Sequence, residues 1–415
     1  MSDTHRHLPA ELLDHIVNLL RDARDTLKSC CLVSKSWIPR ARRHLFALIT
    51  FHTAKNLQSW KTMFPDPSTS PACYTRSLLV RSPQAITTLE AEDGGWISNF
   101  SRIAHLEIVV SGRAIDEPEV LLLPFHKFSP TIKSLRINFE DLPLSCISDL
   151  VHSFPRLQDL AITTNDWFSC SSGFYKQSVA IQPSNPFTFT GSLKLSLEMG
   201  METIASRLLS LPNGLHFREL RLTWHREEDV PFMAALVEKC SPTLETLKIT
   251  SDLVGATVQR STHAPSDDLP LFAGNSQGSI DLSKAIKLRE AVFVCQRYPQ
   301  WVAVTLQTLV SNHKDHKLRQ ISICASSVLY ALDPGYTDPT YLRNVIGEST
   351  YQEWLGFDRI LTHLLESQST RLKVVYVTPF WVYGRSGRNC MESLFPQVTA
   401  RGVAELVERK YGRLD

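Results

Sequence analysis

The chain has 415 residues, of which 43% are hydrophobic and 21% are charged, and its formal net charge is +2. This composition is typical of a folded globular protein and excludes an intrinsically disordered chain. The near balance of charges also argues against the strongly basic surface that nucleic-acid binding requires, so we predict no nucleic-acid partner.

Targeting signals are not visible in the sequence. The polar segment Met1–His7 lacks the apolar core of a secretory signal, and no run of about eighteen apolar residues occurs that could span a membrane. Nine cysteines, an odd number, are scattered without a Cys-x-x-Cys pair. Because this arrangement fits reduced thiols better than a disulfide framework, we expect a cytoplasmic or nuclear protein without membrane association.

The first fifty residues predict a small helical module. Pro9 suits the first turn of a helix, where its missing N–H would have no partner in any case. A second helix follows from Asp25 or Thr26, and a third begins near Ser34 or Ser36. A unit this small has more apolar surface than it can bury alone, which indicates a docking face. The alternative is an ordinary helical cap on a larger domain.

The module resembles the F-box of SCF-type ubiquitin ligases from Leu8 to Phe51, through Leu8-Pro9, Glu11-Leu12, Leu32-Val33-Ser34 and Trp37 in that order. The resemblance implies a non-catalytic substrate receptor that binds a Skp-type adaptor and, through it, cullin and RING subunits. The positions that contact the adaptor in the family correspond here to Leu8, Pro9, Leu12, Ile16, Leu20, Leu27, Val33 and Trp37.

Two features depart from the family pattern. Cys30-Cys31 stand where larger aliphatic residues are usual, and Arg40, Arg42 and Arg43 make the third helix basic. We interpret these arginines as a solvated face, with a contact to the acidic adaptor as the alternative.

Beyond residue 70 one pattern recurs: an apolar residue, two mixed positions, a second apolar residue, one polar position and a third apolar residue. The second apolar residues of the closest copies are about 25 to 29 residues apart. Its copies begin at Ile103, Ile132, Leu157, Phe217, Leu244, Leu288, Leu318 and Leu372, with weaker ones at Thr75 and Leu193. Each copy alternates as a strand does, while intervening segments such as Pro143–Phe154 have helical periodicity. The pattern resembles leucine-rich repeats, although only Asn165 occupies their asparagine position. It predicts an α/β fold: an irregular leucine-rich-repeat-like solenoid, or horseshoe, with parallel strands. The alternative is an irregular α/β domain whose buried strands share a motif.

The predicted organisation is an F-box helical module at 1–51, a linker at 52–72 and a leucine-rich-repeat-like substrate-binding domain at 73–415. Insertions are expected near 166–190 and 253–279, and a C-terminal capping helix is expected around Leu406. In the first insertion Trp167, Phe168 and Tyr175 are candidate contacts to a protein substrate, because aromatic side chains often anchor interfaces. Alternatively, the rings of this insertion fold back as a plug over the helices.

Enzymatic motifs are missing from the sequence. No P-loop, G-x-G-x-x-G, G-x-S-x-G or H-E-x-x-H pattern occurs, and His313 and His316 have no third ligand spaced nearby. We therefore predict a non-enzyme with no catalytic residues, no metal site and no cofactor. The alternative function is a leucine-rich-repeat scaffold that does not serve ubiquitin transfer.

Overall fold

The protein has an α/β fold with parallel strands. The computed structural model describes residues 8–66, 69–81, 99–110, 122–128, 130–140, 142, 144–164, 189–211, 214–251, 280–295, 300–310, 317–325, 340, 343–344, 347–367, 373–378, 392–402 and 404–408. The chain divides into two compact units, Met1–Phe187 and Thr188–Asp415.

The first unit begins with three short helices: α1 (Ala10–Leu19), α2 (Arg24–Val33) and α3 (Ile38–Leu45). Pro9 immediately precedes α1, and Pro39 lies in the first turn of α3. Both prolines occupy positions where an amide N–H would find no partner within the helix, so neither interrupts it.

Parallel strands follow in the order of the chain: β1 (Leu48–Phe51), β2 (Ser77–Arg81), β3 (His105–Val110), β4 (Ser134–Phe139) and β5 (Asp159–Thr164). Their buried aliphatic side chains lie in one register, which runs through Ile49, Leu78, Leu106, Leu135 and Leu160. Helix α5 (Leu144–His152) connects β4 to β5 and buries Ile147, Leu150 and Val151. The parallel strands and the helix predicted within Pro143–Phe154 are therefore confirmed in the described part of this unit.

The second unit continues the alternation. Its strands are β6 (Ser192–Ser196), β7 (Glu219–Trp224), β8 (Thr246–Ser251), β9 (Glu290–Cys295), β10 (Gln320–Ala325), β11 (Lys373–Thr378) and β12 (Ala404–Glu408). Each pairs in parallel with the next. Its helices include α6 (Met201–Leu209), α7 (Val230–Cys240), α8 (Gln300–Val310), α9 (Glu348–Ser367) and α10 (Pro396–Ala400).

The segment expected to be a linker, 52–72, contains helix α4 (Ala54–Met63). Thr53 caps it, since its Oγ1 accepts a hydrogen bond from the Asn56 N–H at 3.3 Å. On α4, Leu57 is fully buried, and the Trp60 ring lies 6.0 Å from that of Phe51. The linker prediction was therefore wrong for residues 54–63, because this helix buries apolar side chains against the first strand.

Two terminal boundaries also differ from expectation. Residues 48–51 form β1 and pair with β2, so the segment 1–51 is not purely helical. The expected C-terminal capping helix is instead the strand β12, which pairs with β11. A strand edge carries a row of backbone N–H and C=O groups, and a further strand satisfies them where a helix would not. The five residues of β12 are too few for their apolar spacing to distinguish the two structures.

Asp229 is a buried carboxyl next to the start of α7. Asp229 is 6% exposed, and its Oδ2 atom has no hydrogen-bond partner among the described residues. Burial raises the pKa of this carboxyl, and the backbone N–H groups of His225 and Arg226 lower it in part. The raised pKa means that the folded state holds the proton more tightly than the unfolded chain. The charged form therefore costs stability as the pH rises from the ordinary value of 3.8 through the folded-state pKa.

We expect Asp229→Asn to increase the free energy of unfolding at about pH 7, because the amide removes the buried charge and keeps an oxygen acceptor. The increase should shrink towards about pH 4, where protonation removes the same charge from the unaltered chain. Urea denaturation of both proteins across this range measures the difference. A stability difference between the two proteins that does not change with pH would contradict a raised pKa for the Asp229 carboxyl.

Candidate partner-binding surface

Helix α1 has one buried side and one exposed apolar side. Leu13 and Val17 are four residues apart and face inward, being 6% and 1% exposed. Leu8, Leu12 and Leu19 are 48%, 50% and 72% exposed, respectively. At 3.6 residues per turn Leu12 and Leu19 share one side of the helix, and Leu8 lies just before its first turn, next to Pro9. We call these three exposed leucines the α1 row.

The three helices enclose a small core of their own. Val17, Leu27, Cys30 and Ala41 are buried in it, and Leu20, Cys31, Trp37 and Leu45 pack against it while remaining partly exposed. This core is small, which is consistent with the surplus of apolar surface left on the outside of the module.

The residues expected to contact an adaptor fall into three groups. Leu8, Pro9, Leu12 and Val33 are exposed, and Ile16 is half-buried. Leu20 and Trp37 are half-buried against the module core. Leu27 is only 1% exposed, so it supports the module from within and offers no surface to a partner.

Leu19 and Leu32 are large exposed apolar side chains that sequence reasoning did not select. Leu19 follows Leu12 by seven residues, which is about two helical turns. This spacing indicated in the sequence that both side chains lie on the same side of the helix. Leu32 is 88% exposed at the end of α2, and its indication in the sequence was its place in the Leu32-Val33-Ser34 motif, next to the selected Val33.

The basic side of α3 has two different roles. Arg40 donates from Nε to Asp14 Oδ1 at 2.7 Å and from Nη1 to the Ser36 carbonyl at 2.8 Å, so it ties α3 to α1. Arg42 and Arg43 are exposed. The pKa of His44 is lowered by burial and further by the nearby Arg43. Arg40 thus orients the helix that carries the α1 row, while the exposed arginines lend positive charge to the module.

The candidate substrate-binding residues Trp167, Phe168 and Tyr175 lie outside the described residues. Phe189, which closes the same aromatic insertion, is described: it is 1% exposed, and its ring stacks on Phe217 with centroids 5.1 Å apart. At this position the aromatic side chain belongs to the core of the second unit.

The described residues include a buried, protonated thiol and no cluster of metal ligands. Burial raises the pKa of the Cys240 thiol to about 12, which keeps it protonated and unreactive at neutral pH. Within the described part of the chain, no three His, Cys, Asp or Glu side chains lie together as metal ligands would. No helix in that part has both the length and the apolar character needed to cross a bilayer.

Comparison with known proteins adds no assignment to this surface. Neither the models of protein families nor the curated proteins contain a match to the chain. The α1 row is therefore defined by the exposure of its three leucines and by the helical spacing of Leu12 and Leu19.

Proposed function

We propose that the protein is a non-catalytic substrate receptor of an SCF-type ubiquitin ligase. In this proposal the three N-terminal helices are an F-box that binds a Skp-type adaptor, and the adaptor brings cullin and RING subunits. The parallel strand–helix repeats are leucine-rich-repeat-like parts of a solenoid that holds the target protein.

The observation that carries the proposal is the α1 row. Leu8, just before the ten-residue helix, and Leu12 and Leu19 within it are about half or more exposed, although two other apolar side chains of the helix are buried. Exposed apolar surface of this kind is characteristic of a protein–protein interface. The row begins at the Leu8-Pro9 pair, where the resemblance to the F-box places adaptor contacts.

Such a receptor acts through proximity. Holding a target beside a charged conjugating enzyme raises the effective concentration of the target's lysines, so the receptor itself supplies no catalytic group. An F-box at one end of the chain would bind the ligase, and a repeat array in the remainder would bind the target.

We expect the double variant Leu8→Asp/Leu12→Asp to lose the adaptor. Burying each leucine contributes about 1.5–3 kcal/mol, so removing both weakens binding by about a hundred-fold or more. The carboxylates also repel an acidic adaptor. Co-expression of the full chain with a Skp-type adaptor, followed by affinity capture, measures the loss.

The matched control is Leu48→Asp/Met63→Asp, which changes two other exposed apolar side chains by the same charge. Equal adaptor recovery with the α1 double variant and the unaltered chain would overturn the F-box assignment.

Partner capture with the proteasome blocked and unblocked then separates a substrate receptor from a scaffold. A receptor's targets accumulate with the α1 double variant, whereas partners of a scaffold are equally abundant with both chains.

A further inference from the structure

Three cationic side chains lie next to one another on the outward side of the second unit's strands. Register pairs Lys194 of β6 with Arg221 of β7, and Arg221 with Lys248 of β8. Their neighbours along each strand are buried leucines and isoleucine, so these three side chains point away from the core. Because adjacent strands lie about 4.8 Å apart, the three positions span about 10 Å.

Hydroxyl side chains continue this surface towards the strands' C-terminal ends. Ser196, Thr223 and Thr250 lie in register with one another and two residues beyond the cations, on the same side of the strands. The preceding row contains Ser192, Glu219 and Thr246, also in register. We call these nine residues the β6–β8 patch; all are at least partly exposed.

Hydrogen-bond donors and positive charge dominate the β6–β8 patch. It contains three cations, five hydroxyl groups and a single carboxylate, Glu219, which accepts from Arg221 Nε. That bond uses one of the five N–H groups of the guanidinium. A carboxylate placed between two neighbouring cations of this row is attracted by both.

We propose that the β6–β8 patch binds an Asp- or Glu-rich segment of a partner protein. This inference rests on the proposed function, in which the partner is the target, and it names the target's chemistry. A segment that presents two or three carboxylates side by side matches cations distributed over three strands, with hydroxyl groups placed to donate further hydrogen bonds.

The arrangement of cations in the β6–β8 patch favours an Asp- or Glu-rich segment over other anions. A single phosphate is held by cations that converge on one point, whereas these cations lie in a line. None of the nine patch residues is an aromatic side chain on which a base could stack.

The test measures binding of the full chain to a labelled peptide of alternating Asp and Ser by fluorescence anisotropy. The same peptide with Asn in place of Asp is the neutral probe. Lys194→Gln/Lys248→Gln should weaken binding of the acidic peptide by about five- to thirty-fold, and added salt should weaken binding to the unaltered chain. The matched control, Lys239→Gln/Lys287→Gln, removes two exposed lysines elsewhere in the unit and should bind as the unaltered chain does.

Equal losses in the two double variants would overturn the proposal, because binding would then follow net charge alone. Equal affinity for the acidic and neutral peptides, or tighter binding of a singly phosphorylated peptide or a single-stranded oligonucleotide, would also overturn it. The anisotropy measurement involves no adaptor, and adaptor capture involves no peptide. A failure of this inference is therefore distinguishable from a failure of the proposed F-box.

Discussion

Leu135→Ala is expected to lower the free energy of unfolding of the first unit by about 2–5 kcal/mol. Leu135 is 1% exposed in β4, and its register partners Leu106 and Leu160 are equally buried. Removing most of its side chain leaves a cavity between two strands that are fixed by backbone hydrogen bonds, so the surrounding core can collapse only partly.

Hydrogen exchange followed by mass spectrometry measures this effect locally, since peptides from β3, β4 and β5 should lose protection together. Ser134→Ala is the matched control, because Ser134 precedes Leu135 on the same strand, is partly exposed and faces the other side. The control should change stability by less than about 0.5 kcal/mol. Similar losses from both substitutions would show that Leu135 has no special role in the core.

Trp354→Ala is expected to destabilise the second unit by about 3–5 kcal/mol. Trp354 lies on α9 and is completely buried, with its ring edge-on to Phe395 at 5.3 Å and 6.0 Å from the ring of Phe357. Asp358 of the same helix accepts from the backbone N–H groups of Gln397 and Val398, at 2.9 and 3.1 Å. Loss of the indole therefore removes aromatic contacts at the place where α9 anchors the start of α10.

Trp354→Phe provides the comparison, because it keeps an aromatic ring and removes the indole N–H, which has no hydrogen-bond partner among the described residues. A buried N–H without a partner is unfavourable, so its removal offsets part of the lost packing. We expect a cost of less than about 2 kcal/mol for this variant. Urea denaturation measures both variants, and equal costs would contradict a packing role for the ring.

The repeated strand pattern was predictable because it depends on local alternation. A side chain at every second strand position faces the core, so Leu106-x-Ile108 and Leu135-x-Ile137 each identified a strand without knowledge of its neighbours. Register followed from the same pattern, since a slip of one residue would expose every buried aliphatic side chain.

Segments at the ends of the array were less predictable. Ile49 and Phe51 alternate over only four residues and stand directly after three helices, so they were assigned to the helical module. Strand β12 presented apolar residues that suit a helix as well as a strand. In both cases the neighbouring strand decided the outcome, because pairing satisfies backbone groups that sequence periodicity does not describe.

The candidate adaptor surface was predictable only in part. The sequence indicated an apolar helix at Leu12 and Ile16, but every apolar residue of α1 was an equal candidate for burial. Packing of α2 and α3 decided that Leu13 and Val17 face inward and that Leu8, Leu12 and Leu19 do not. The same packing buried Leu27, which the resemblance had placed among the contacts.

The sequence by itself determined the class of fold and the positions of most strands, because strand and helix periodicities are properties of consecutive residues. Only the tertiary structure decided which side chains remain outside. The cations Lys194, Arg221 and Lys248 are 27 residues apart in each step along the chain, and parallel pairing places them side by side. Exposure and lateral neighbours depend on which elements pack together, and that information is distributed over residues far apart in the chain.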